Sequence, residues 1–274
     1  MIYLKLFRLC NSINKKSNSN SNIYPYNILK NKEPDVFLFD NITVLYGNNG
    51  SGKSTILNII AHNLNLKGKE RNNPEIIGTV PYFEDFVLKC KYELGETENG
   101  KKINKIPENS RYIKSEEILY EIRKIEQDNV LQESINSNLA REIGVEKAKE
   151  FIKTDEGQAQ FERFQFAQEK YSNGETTMQI LEDVLEPDRL YLLDEPEVSL
   201  SPQNQVKLAE EINKMARYLG IQFIIATHSP FMLGILNAKI YNLDTKNYKV
   251  QKWTELENVR YFYDFFKKRK NEFI

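Results

Sequence analysis

Nine consecutive residues, Gly47-Asn48-Asn49-Gly50-Ser51-Gly52-Lys53-Ser54-Thr55, lie between the apolar runs Ile42 to Tyr46 and Ile56 to Ala61. Glycines at this spacing let the backbone curl tightly, so that successive N–H groups point inward from the start of a helix whose dipole also favours negative charge. That arrangement holds phosphate. Lys53 is placed to reach the β- and γ-phosphates of a nucleotide, and Ser54 to offer its hydroxyl to Mg²⁺. A glycine-rich turn that merely happened to carry a lysine would need the strand before it and the helix after it to be coincidence as well. Residues Gly47 to Thr55 are therefore expected to bind a nucleoside triphosphate, ATP with Mg²⁺.

Three further segments bear on what is done with that phosphate. Arg189-Leu190-Tyr191-Leu192-Leu193-Asp194-Glu195 is a short apolar strand ending in two acids. It would deliver Asp194 beside Mg²⁺ and leave Glu195 where a water-activating base belongs. Tyr171-Ser172-Asn173-Gly174-Glu175 is a small-residue turn entering a helix, and it presents a hydroxyl and free backbone N–H groups. Ile224-Ile225-Ala226-Thr227-His228-Ser229-Pro230 is a strand that ends at a histidine 34 residues past Asp194, and an imidazole there can touch the γ-phosphate or the attacking water. The other histidine, His62, falls in the helix after the phosphate loop and is expected to be structural, because two histidines and two separated cysteines make no zinc constellation. No Ser/His/Asp nucleophile system and no nuclease acid cluster is indicated, so any cutting of nucleic acid would fall to another chain.

The order and spacing of these four elements resemble the ATP-binding cassette ATPases. The resemblance runs from the first strand to at least Leu243 and implies the Walker A loop at Gly47 to Thr55 and the Walker B acids at Asp194 and Glu195. It also implies that Ser172, Asn173, Gly174 and Glu175 are the signature motif and His228 the switch histidine. The family's usual signature reads Ser-Gly-Gly-Gln, so Asn173 and Glu175 are departures. Asp194-Glu195-Pro196-Glu197 and the Thr227-His228-Ser229-Pro230 turn are similar to the soluble RecF-like, SMC-type and OLD-type branch, and within it to small stand-alone bacterial ATPases of the AAA family. In this superfamily the signature of one protomer covers the ATP of the other, which implies a head-to-tail homodimer with ATP at its interface. A second departure concerns a glutamine that cassette ATPases place about forty residues after the Walker lysine. The first glutamine here is Gln127, and Glu84, Asp85 or Asn109 are the candidates to replace it.

Composition sets limits. A chain of 274 residues holds one large domain, or a core with one inserted lobe. Its 38 basic and 39 acidic side chains nearly cancel, so no global field draws in nucleic acid or an anionic membrane, and any nucleic-acid contact must be local or supplied by a partner. Cys10 and Cys90 are too few for a disulfide framework, no cationic leader with a long apolar core is seen, and no apolar run reaches the length of a membrane span. A cytoplasmic location is expected.

Along the chain, residues 11–22 are nearly all Asn, Ser and Lys and are expected to be a mobile loop. Tyr26, a little over twenty residues before the phosphate loop, is the preferred adenine-stacking ring, with packing at the sheet edge as its equal alternative. Residues 111–171 carry many charges of both signs and no proline, and are read as an inserted helical lobe; a wet helix surface is the simpler reading of those charges, a partner-docking surface the sharper one. After Asp194 a helix is expected from Ser201-Pro202 to Gly220 with the apolar stripe Val206, Ala209, Ile212, Ala216 and Leu219. A terminal strand pair over 239–243 and 248–253 comes next, and then a helix over 257–274 with Val259, Phe262, Tyr263 and Phe266 on one face. Its basic run, Lys267 to Lys270, is expected to be a solvated helix end.

The fold expected is α/β: a P-loop nucleoside triphosphatase of the ABC type in a single domain over 1–274, with a RecA-like core (1–110 and 172–256), the helical lobe at 111–171 and the C-terminal helix. The function expected is Mg·ATP hydrolysis driving an ATP-sandwich dimer switch. The resemblance to the soluble branch implies that it would serve bacterial DNA repair or anti-phage defence together with a separately encoded effector such as a nuclease or toxin. The alternatives are the nucleotide-binding subunit of an ABC transporter and a non-catalytic ATP-sensing scaffold.

Overall fold

Three strands in which every residue is buried set the architecture: Ile42–Tyr46 (β3), Leu190–Asp194 (β6) and Gln222–Ala226 (β7). Continuous apolar runs of this kind, without alternation, belong to parallel strands covered on both faces. The computed structural model describes residues 1–10, 23–30, 32–33, 36–70, 82–97, 100–115, 154, 185–198 and 200–273. By its internal contacts the chain divides into two compact units, residues 1–115, 186–198 and 205–274 in one and 116–185 with 199–204 in the other. Of the second unit only 154, 185 and 200–204 are among the described residues, and all the described strands lie in the first.

β7 pairs in parallel with β6 on one side and β3 on the other, so the three buried strands are neighbours. Arg111–Lys114 (β5) extends the sheet beyond β6, and Lys239–Asn242 (β8) extends it beyond β3, both in parallel. Lys249–Val250 (β9) closes that edge antiparallel, giving the order β5-β6-β7-β3-β8-β9. A second sheet is antiparallel: Leu4–Arg8 (β1) lies between Val36–Leu38 (β2) and Lys91–Leu94 (β4). The Gln222 side chain joins the two, accepting from the backbone N–H groups of Tyr3 and Leu4 at 2.8 and 2.9 Å and donating to the carbonyls of Leu4 and Asp40 at 2.9 and 3.1 Å. A polar side chain this deeply buried is tolerable because its donors and acceptors are all used.

The helices arise from local signals. Lys53–Asn63 (α1) is buried along most of its length and contributes Ile56, Leu57, Ile59 and Ile60 to the core that holds Leu192 and Ile224. Tyr82–Lys89 (α2) turns Phe83, Phe86 and Val87 inward. Pro202–Tyr218 (α3) starts at its proline, which supplies a helical φ and needs no N–H partner. Its buried stripe is Leu208, Ala209, Ile212 and Ala216. The expected Leu219 is 39% exposed instead, because the helix ends one residue earlier and Gly220 turns away at φ 64°. Pro230–Ile235 (α4) is capped by Ser229, whose hydroxyl accepts from the Met232 N–H.

Two expectations need correction. The helical lobe does not open at Arg111: Arg111–Lys114 is strand β5, held in the sheet by the buried Tyr112 and Ile113. The last helix, Glu257–Lys268 (α5), has Val259 buried, while Phe262, Tyr263 and Phe266 are exposed. Its cations and rings lie close together. Arg260 and Lys267 both lie over Tyr263, and Arg269 lies 4.5 Å from the Phe265 centroid. The second strand of the terminal pair is confined to Lys249–Val250, with Trp253 in a 3₁₀ turn. Residues 11–22 lie outside those described.

Candidate functional site

The parallel register fixes where the site lies. Leu45 of β3 is level with Ala226 of β7, Ala226 with Asp194 of β6, and Asp194 with Lys114 of β5. The phosphate loop, the Asp194-Glu195 pair and the Thr227-His228 turn therefore leave the same carboxyl edge of the sheet, where open α/β sheets bind ligands. In the loop, Gly52 adopts φ 99° as it enters α1, and a Cβ there would press on the Ile28 side chain at 3.2 Å. A Cβ on Gly47 would fall 2.4 Å from the Ser51 hydroxyl, so the loop closes this tightly only with glycine at that position. Asn48, Asn49 and Gly50 are exposed at the rim, and Thr55 is buried behind them.

Lys53 is 5% exposed and folds back into the loop, donating to the Gly47 carbonyl at 2.8 Å and the Asn48 carbonyl at 3.4 Å. Its ammonium also lies 3.3 Å from Oε1 of Glu195. Glu195 reaches it by leaving β6 with φ 48°, a left-handed conformation that costs a non-glycine residue on the order of 1–3 kcal/mol and is typical of functional turns. Nδ1 of His228 lies 3.2 Å from the same Oε1. The contact holds the Glu195 carboxyl below its usual range, with His228 the larger cause and Lys53 adding to it, and raises the His228 imidazole above its own.

Asp194 is the buried member of the acid pair. Its Oδ2 accepts from the Tyr112 hydroxyl at 3.0 Å, while Oδ1 has no hydrogen-bond partner of good geometry among the described residues. Burial raises its carboxyl, and the neighbouring Ser54 and Tyr112 hydroxyls act in the opposite direction. Burial and the Asp194 charge together push the Tyr112 phenol far up, so it stays a donor. An unpaired, buried carboxylate oxygen beside an exposed serine hydroxyl is what a hard divalent cation takes, and Ser54 and Asp194 fit Mg²⁺. When bound, Mg²⁺ would neutralise charge on the β- and γ-phosphate oxygens.

Several participants escaped the sequence reading. Tyr112 looked like part of a charged lobe, although its neighbour Ile113 offered a strand signal. The Asn48 N–H donates to both oxygens of Asp244, at 3.0 and 3.1 Å, and Asn258 Nδ2 donates to Asn48 Oδ1 at 2.8 Å. Those partners lie 196 and 210 residues away in the chain, and no local pattern announces them. Of the candidates for the missing glutamine, Asn109 is held at the amino end of β5 by Lys67 and Glu186, at the opposite end of the strand from Asp194. Glu84 and Asp85 lie on α2, Asp85 paired with Lys89. The place beside Asp194 is taken by Lys114, which pairs with Glu70. Tyr26 packs edge-on against Phe86, 5.2 Å between centroids, and His62 bonds the Glu70 carbonyl at 2.7 Å while meeting Phe83 edge-on. Ser172, Asn173, Gly174 and Glu175 lie outside the described residues. A cavity of about 450 Å³ lined by Leu66, Lys67, Tyr92 and Pro107 to Ser110 sits at the amino end of β5, away from this cluster.

Residues 130–234 match the family described as "AAA domain, putative AbiEii toxin, Type IV TA system". No curated protein matches the chain. Solved structures similar to it include the SMC head domain from Thermotoga maritima, 14% identical, covering 88% of this chain and 94% of that one at a TM-score of 0.42. Another is the Smc head domain from Pyrococcus furiosus bound to the C-terminal domain of ScpA, 16% identical, covering 88% and 93% at 0.39. A third is the ADP conformation of an ATP-binding cassette of an ABC transporter, 15% identical, covering 88% and 87% at 0.42. The family match spans the Asp194-Glu195 and His228 elements, and its description as an AAA domain agrees with the phosphate loop and the parallel sheet in pointing to a P-loop ATPase-type domain.

Proposed function

We propose that this chain hydrolyses Mg·ATP and uses the cycle to close and open a head-to-tail homodimer. The observation that carries the reading is the meeting of Lys53, Glu195 and His228 around one carboxylate oxygen, with Asp194 and Ser54 alongside. Phosphoryl transfer needs positioning and charge neutralisation more than covalent chemistry. Lys53 is shared between loop carbonyls and Glu195. A γ-phosphate entering the loop offers the ammonium a more highly charged partner, which frees Glu195 to take a proton from the attacking water. His228 stays beside Glu195 and donates to the transferring phosphoryl group or the water. Its raised pKa favours the charged form for that task.

The dimer rests on Ser172 to Glu175, proposed to cover the partner's nucleotide. The biological setting we propose is DNA repair or anti-phage defence beside a separately encoded nuclease or toxin, a reading supported by the motif resemblance and by the match to a family described as "AAA domain, putative AbiEii toxin, Type IV TA system". Among the described residues no helix is long and apolar enough to cross a membrane.

Mixing two inactive variants tests the shared site. Ser172→Arg and Lys53→Ala each abolish turnover alone, whereas their heterodimer has one site with both lesions and one with neither, so about half of the wild-type activity per heterodimer should return. A proven heterodimer with no recovery sinks the sandwich.

A further inference from the structure

Glu197 is only 5% exposed, although a carboxylate that deep is costly unless it is satisfied. Its Oε1 accepts from the Thr227 hydroxyl, while Oε2 has no hydrogen-bond partner among the described residues. Thr227 is wholly buried, and its hydroxyl oxygen also accepts from the Ser229 N–H at 3.0 Å. The Ser229 hydroxyl in turn donates to Gln205 at 2.6 Å and caps α4. On the other side Glu197 belongs to the turn closed by the Val198 N–H to the Glu195 carbonyl at 3.1 Å. One buried side chain thus ties the turn that carries Glu195 to the turn that carries His228, and His228 sits between Thr227 and the Ser229 N–H that the Thr227 hydroxyl holds.

From this we infer that Glu197 is a positioning residue for hydrolysis, setting through Thr227 the place of His228 against Glu195. The inference rests on the ATPase reading and deepens it. Burial is the largest influence on the Glu197 carboxyl and favours the uncharged acid, against the Thr227 hydroxyl, its own backbone N–H and the nearby His228, so the tie to Thr227 needs an acceptor oxygen more than a charge. Glutamine has the same shape and keeps the acceptor.

The test is a double-mutant cycle on phosphate release, with kcat and KM measured separately. Glu197→Ala should lower kcat by on the order of ten- to a hundredfold at unchanged KM for ATP, the usual penalty for misplacing a reacting group. Glu197→Gln should restore most of that loss. In a His228→Ala background Glu197→Ala should cost nothing further, because the residue through which it acts is gone. If Glu197→Ala fails to fold, Thr227→Val breaks the same bond from the other end, and Thr227→Ser restores the hydroxyl. A full additional loss in the His228→Ala background, or a raised KM at unchanged kcat, overturns the inference. Where wild-type turnover is present and Lys53→Ala removes it, such a result overturns the positioning role alone; a wild type that releases no phosphate takes the ATPase reading with it.

Discussion

One oxygen of Glu195 meets both the Lys53 ammonium from the phosphate loop and the His228 ring from the end of β7, and each contact predicts something different. Lys53 has no substitute among the described loop residues, so Lys53→Ala should abolish Mg·ATP binding, and calorimetry showing undiminished affinity would place the site elsewhere. The His228 contact predicts a pH dependence in the absence of nucleotide and metal. The Glu195 carboxyl is lowered from 4.5, so its share of the stabilisation is present above about pH 4.5 and fades as pH falls below. The His228 imidazole is raised from 6.5, so its share is complete below about pH 6.5 and fades as pH rises through the higher folded value. The melting-temperature gap between wild type and His228→Ala should therefore be widest between those pH values and shrink as the pH rises through the raised His228 value. A gap that grows with pH contradicts the pairing. At this scale the sequence was informative wherever a motif is contiguous: the loop, the acid pair and the histidine were legible because each is read from neighbours in the chain. Tyr112, Asp244 and Asn258 were not, since they reach the site only through strand register and chain return.

Among the elements, the buried strands β3, β6 and β7 were readable because continuous apolar runs leave one consistent interpretation. β5 was not, since four residues flanked by charges give too short a period to separate strand from helix. The apolar face of α5 was legible as a face, but its exposure was not. Periodicity reports that a helix has an apolar side but not that anything in the described surroundings covers it. Gln222 is the least predictable structural residue, a glutamine inside an otherwise apolar strand that bridges the two sheets. Gln222→Ala strands the N–H groups of Tyr3 and Leu4 and should destabilise the fold by about 1–3 kcal/mol per orphaned group, visible as a lower denaturation midpoint. An unchanged midpoint would show that β1 is held by its strand partners alone.

The molecule as a whole is proposed to be an ATP-driven switch whose working parts lie along one sheet edge and whose second half is another copy of the chain. Glu195→Gln should hold the nucleotide-bound dimer closed, so sedimentation velocity with Mg·ATP should show a dimer at micromolar concentrations for this variant, and a persistent monomer counts against closure. The central claim, that ATP is hydrolysed at this edge with Glu195 as the base, is tested most directly by phosphate release from the same Glu195→Gln sample in which calorimetry has shown ATP to be bound. Unchanged affinity is expected, with turnover reduced by roughly 10² to 10⁴, the usual worth of a positioned general base; turnover within about twofold of the wild type would contradict the claim.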